Sequence, residues 1–110
     1  MTSWIEVGSF SDVPKRGSRL VSTPQGDIAI FKTADDRIFA LWDKCPHEGG
    51  PLSQGIVHGD SVTCPLHNWV IGLESGLVKG PDQGCARKVK CKVENGLVLI
   101  EAAALLQQVA

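Results

Sequence analysis

At 110 residues the chain has the length of one modest domain, with apolar side chains enough for a single core and too few residues for two. Its 43% hydrophobic and 21% charged content is that of an ordinary globular protein and argues against both a disordered and a membrane-spanning chain. Lys and Arg total 11 against 12 Asp and Glu, a formal net charge of -1, so there is no field to attract a nucleic-acid backbone or an anionic membrane, and neither partner is expected.

The N-terminus enters Trp4-Ile5-Glu6-Val7 without the basic region and apolar run of a secretory signal, which predicts a cytoplasmic protein. In that reducing compartment four cysteines point to metal ligands or buried thiols more than to disulfides. Residues 9–18 form a loop with one helical turn at most, because Pro14 and Gly17 break any longer repeat. "RLVST" (19–23), "IAIFK" (28–32) and "IFALW" (38–42) are strands separated by the turns "PQGD" and "ADDR". "GIVHGDSVT" (55–63) is a short hairpin about His58-Gly59-Asp60. "RKVKCKVE" (87–94) alternates strictly, which predicts one strand with Val89, Cys91 and Val93 inward and Lys88, Lys90 and Lys92 on a solvated face. The Asn-Gly of "ENG" (94–96) then turns the chain into a last strand, "LVLIE" (97–101).

The rhythm of short strands and turns predicts an all-β antiparallel sandwich or barrel, a single domain over 1–110. Trp4 and Trp42 are expected in its core, as is Cys91. Cys85 stands about 20 Å from Cys91 along an extended strand, too far for a disulfide between them. The nine residues 102–110 contain strong helix formers but are too short for an independent helix, which leaves a docked helical turn or a frayed tail.

The chemistry lies between Trp42 and Gly80. Cys45-Pro46-His47 and Cys64-Pro65-Leu66-His67 flank a sixteen-residue spacer in a C-x-H-x16-C-x2-H pattern. A hairpin in that spacer brings both Cys/His pairs to one end of a sheet. The prolines after each cysteine and Gly49-Gly50-Pro51 suit tight loops with inward backbone N–H groups, the environment that the sulfides of an iron-sulfur cluster require. By ligand count alone, a mononuclear Cys2His2 zinc site in a structural or interaction module fits as well.

The pattern resembles the Rieske iron-sulfur family. The resemblance implies a Rieske-type fold with the cluster-binding subdomain inserted at about 43–80, and a [2Fe-2S] cluster in which Cys45 and Cys64 bind the inner iron and His47 and His67 the outer one. Respiratory and photosynthetic members carry a further cysteine in each loop, where this chain has Gly50 and Leu66, and a serine donor to the cluster where it has Trp69. Fewer donors imply a potential in the lower half of the family's span of roughly -150 to +300 mV. The stretches "CPHEGGPLSQGIVHGDSVTCPLHNWVIGLESG" and "GPDQGCARKVKCKVENGLVLI" are most similar to the small subunits of NAD(P)H-dependent nitrite reductase. That likeness implies electron transfer beside a large subunit carrying flavin, siroheme and an iron-sulfur cluster, with nitrite reduced to ammonium for nitrogen assimilation. Rieske ferredoxins of aromatic-ring dioxygenases are similar in length and pattern, and imply an oxygenase and a reductase as partners instead.

With His47 and His67 given to the cluster, only His58 is left, too few histidines for a 2-His-1-carboxylate oxygenase site. No G-x-G-x-x-G follows a strand to hold a nicotinamide, and Cys85 and Cys91 cannot hold a second four-cysteine cluster. The reading is therefore of an electron-transfer subunit without a catalytic residue of its own. Trp69, two positions after His67, is placed to shield the cluster or to anchor a partner.

Overall fold

Apolar residues on consecutive positions, not alternate ones, mark the strand at the centre of the molecule. The computed structural model describes residues 3–45, 50–65, 68–79 and 84–103. Its middle sheet runs in the order β2 (Gly17–Thr23), β3 (Gly26–Lys32), β4 (Ile38–Trp42) and β8 (Lys88–Val89). An outer sheet sets β1 (Trp4–Ser9), β10 (Leu97–Glu101) and β9 (Cys91–Glu94) side by side, and a small third sheet contains β5 (Ile56–His58), β6 (Ser61–Thr63) and β7 (Val70–Gly72). All pairings are antiparallel. The only helical pieces among the described residues are short 3-10 turns, including Phe10–Asp12 and Leu52–Gln54, and no helix is long and apolar enough to cross a membrane.

The continuous "IAIF" of β3 is buried on both faces, so the middle sheet is a wall between two cores. Ala29 and Phe31 point to one side, with Leu41 of β4, and pack against Leu52, Val57, Val62, Ile71 and Leu73 around the third sheet. Ile28 and Ile30 point to the other, with Ala40 and Trp42, and meet Val13, Val89, Val98 and Ile100 against the outer sheet. The period of two along a strand does this sorting. Asn95 and Gly96, both at positive φ (54° and 76°), make the predicted hairpin turn between β9 and β10. Lys32, 6% exposed, is kept in the wall because its Nζ donates to the Phe10 carbonyl at 2.7 Å and lies over the Phe10 ring.

The all-β reading holds, with three differences. Residues 87–94 are two strands, not one: β8 pairs with β4 while β9 pairs with β10, the chain changing sheets at Lys90. Strict alternation cannot show such a change, since both strands keep the same period. Val93 is consequently 43% exposed, while Cys91 remains partly buried against the outer core. Of the lysine stripe, Lys88 and Lys90 are exposed, but Lys92 lies over the Trp4 ring (4.5 Å to its centre) and pairs with Glu94. Trp4 is thus half-buried under a lysine, whereas Trp42 is in the core as expected. Ala102 and Ala103 continue past β10 as a short turn, and the rest of the expected tail, 104–110, lies outside the described residues.

Candidate metal centre

Cys45 and Cys64 sit at the bases of two loops closed by the same bond. The Cys45 N–H donates to the Gly50 carbonyl at 2.8 Å, and the Cys64 N–H donates to the Trp69 carbonyl at 2.7 Å. In each case the donor is the cysteine and the acceptor stands five residues on, so His47 and His67 fall within the two closed segments by sequence. His47 and His67 themselves lie outside the described residues, as do residues 80–83. Both cysteines are buried, 2% and 0% exposed, and both belong to the core between the middle and third sheets, against which Trp69 also packs.

The third sheet explains why residues nineteen positions apart share that core. Ile56 of β5 pairs with Thr63 of β6, so the segment arriving from the first loop lies beside the residue that precedes Cys64. Gly55 makes the approach possible: a Cβ there would stand 2.2 Å from the Thr63 carbonyl oxygen and 3.1 Å from that of Leu52. The first loop is held from outside by Asp43, whose carboxylate accepts from the Ser53 N–H (2.6 Å) and hydroxyl (2.9 Å). Ser53 in turn offers its carbonyl to the Ser18 hydroxyl at 2.7 Å, tying the loop to β2. At the second loop Asn68 takes a left-handed φ of 58°, a conformation Asn tolerates better than most side chains. A third segment is pinned by the Val78 N–H to the Gly84 carbonyl and the Ala86 N–H to that of Gly76, where φ is +75° and a Cβ would meet the Ala86 oxygen at 2.5 Å.

Asp43, Ser53 and Gly55 escaped the sequence reading, because they act through bracing and close backbone approach, not through metal-binding chemistry; Gly50 stands in the tight loop that the sequence implies, but its role as acceptor does not follow from it. The repeated five-residue step from cysteine to acceptor is visible only once the bonds are seen. His58 stays apart from the pair, exposed, with Nε2 2.6 Å from the Thr63 hydroxyl. Cys85 is exposed. The donor set fits an iron-sulfur cluster: two buried thiols, each at the base of a closed loop over one apolar core, are what the thiolate half of a two-Cys, two-His centre would require.

A family model for the Rieske [2Fe-2S] domain matches residues 3–95. The chain belongs to the Rieske [2Fe-2S] family. A Rieske domain carries a [2Fe-2S] cluster and transfers electrons, which settles the choice between iron-sulfur and zinc left open by ligand count. Among its relatives, the anthranilate 1,2-dioxygenase ferredoxin subunit of Burkholderia cepacia is 30% identical over 79 residues, 72% of each chain. The ferredoxin–oxygenase complex of carbazole 1,9a-dioxygenase contains a chain that superposes with a TM-score of 0.80 at 25% identity, covering 89% of this chain and 92% of that one. A protein assigned as the NADH-dependent nitrite reductase small subunit of Mycobacterium tuberculosis superposes with a TM-score of 0.81 over 92% and 96% of the two chains, its 17% identity speaking to the fold alone. Against the first curated relatives, which are longer proteins, this chain spans 23% and 12% of their lengths.

Proposed function

We propose that Cys45, His47, Cys64 and His67 hold the cluster, and that the chain is the electron-transfer small subunit of a cytoplasmic NAD(P)H-dependent nitrite reductase. The observation that carries the ligand set is the matched pair of closed loops, each opening on a buried cysteine and enclosing a histidine in sequence. When bound, the cluster supplies a one-electron couple, at a higher potential than an all-cysteine cluster because imidazole replaces thiolate on one iron. The protein's part is positional. The two N–H···O=C closures fix where the cysteine Cβ atoms sit, the Asp43–Ser53 brace stops the first loop from opening, and Leu52, Val62 and Ile71 keep water from the thiol side.

The nitrite reductase assignment rests on the run from Cys45 to Gly76 and on "GPDQGCAR", and its partner would be a large subunit carrying flavin, siroheme and an iron-sulfur cluster. A second reading is favoured by the relative in Burkholderia cepacia: a ferredoxin passing electrons from a reductase to a ring-hydroxylating oxygenase. The reduced protein is to be mixed anaerobically with each candidate partner and its reoxidation followed. Nitrite-dependent reoxidation by a siroheme large subunit, with ammonium formed, is the expected result. Reoxidation only with an oxygenase, aromatic substrate and oxygen would replace the first reading by the second.

A further inference from the structure

β2 is the end strand of the middle sheet, paired with β3 in unbroken register from Gly17↔Lys32 to Thr23↔Gly26. The Asp43 N–H donates to the Asp27 carbonyl, so the odd-numbered residues of β3 bond toward β4 and the even-numbered ones toward β2. Through that register Arg19 and Val21 bond to β3, while Ser18, Leu20 and Ser22 turn their N–H and C=O groups outward. No backbone bond among the described residues takes them up. The Leu20 side chain, in the middle of this edge, is 46% exposed. Other edges of the described sheets are blunted: β1 breaks register between Glu6 and Gly8, β9 carries Lys92 and Glu94, β7 is bridged from Ile71 to Val78, and β5 and β8 have only three and two residues. Among the described strands, β2 is the edge that stays long, regular and, Arg19 apart, uncharged.

We propose that β2 pairs with β2 of a second copy, antiparallel about a two-fold axis beside Leu20. That register sets Leu20 against its own equivalent, Ser18 against Ser22 and Arg19 against Val21. The outward N–H and C=O groups of Ser18, Leu20 and Ser22 on both copies are then all used, and the two middle sheets become one. A two-fold contact requires a self-complementary surface, and this strand is one: its single charge, Arg19, faces Val21 of the copy and is already paired with Asp12 at 2.9 Å. A charged partner would find no free countercharge on the strand, whereas a copy needs none. Because the Ser18 hydroxyl also holds the Ser53 carbonyl, the paired strand is the one that anchors the first cysteine loop.

Sedimentation of the cluster-loaded full chain over rising concentration is compared with that of Leu20→Lys and Ser22→Pro. Amide hydrogen exchange is read residue by residue in dilute and concentrated native protein. Leu20→Lys opposes two like charges across the axis, and Ser22→Pro removes an outward N–H without touching a bond to β3. The expected result is a native dimer, with dissociation about ten-fold more favourable in both variants and cluster absorbance unchanged. Exchange at Ser18, Leu20 and Ser22 slows with concentration in the native chain, while Arg19 and Val21 stay constant. A native chain that remains monomeric at every concentration overturns the proposal. So does a dimer that both variants leave intact, or one whose three outward amides stay unprotected, since either places the interface on another surface. Should one variant fail to fold, the other variant and the alternating exchange decide.

Discussion

The two faces of β3 look into cores of different chemistry. Ile28 and Ile30 meet aliphatic side chains and the Trp42 indole between the middle and outer sheets, an interior that contains none of the candidate ligands. Ala29 and Phe31 meet an interior of similar apolar make-up that also contains Cys45 and Cys64, the two buried thiols proposed as cluster ligands. On the proposed ligand set, the wall would separate a framework core without cluster ligands from a core that holds the two cysteine ligands.

Four experiments break or sharpen that separation. The largest effect is expected from Cys64→Ser, which should abolish the visible absorbance of the cluster while amides of β1, β9 and β10 stay protected from exchange; collapse of that protection would show the cores to be one cooperative unit. Ile100→Ala, in the framework core and fully buried, should lower stability by about 2–5 kcal/mol in urea titration yet leave cluster absorbance per folded molecule unchanged. Asp43→Ala strips two donors of their acceptor and should cost about 1–3 kcal/mol, read as faster loss of the cluster to a chelator with little change in the outer sheet.

The smallest effect is a pH dependence on the framework side. Burial pushes the Cys91 thiol from 9.0 up to about 11, so the folded state keeps its proton where the unfolded chain gives it up. The stability this contributes is whole below pH 9 and is lost as pH rises toward 11, a fall on the order of 2 kcal/mol. Urea midpoints at pH 8 and pH 10 should differ more for the native chain than for Cys91→Ala, and equal differences would remove the assignment.

How much of this was legible in the sequence follows from what each residue does. Cysteine and histidine at fixed spacing announce themselves, because few other roles require those types in that order, and the strand at 38–42 was readable to the residue because its ends are set by a turn and a loop. β1 was not, since a register shift between Glu6 and Gly8 breaks its alternation, and β7 is only three residues long inside a stretch first read as a motif. The sheet change at Lys90 left no trace in the alternation. Gly50 and Trp69, which the sequence marks for a tight loop and for shielding, contribute here through carbonyl oxygens, which every residue has, so no side-chain pattern could show that role.

The central claim is that a Rieske cluster sits on Cys45, His47, Cys64 and His67. Electron paramagnetic resonance of the anaerobically purified, dithionite-reduced protein, with iron, sulfide and zinc measured on the same sample, tests it most directly. The account predicts iron and acid-labile sulfide in equal amount and a Rieske-type spectrum that vanishes in His67→Ala. A spectrum of an all-cysteine cluster, or zinc in place of iron in protein that has not lost its metal, would contradict it.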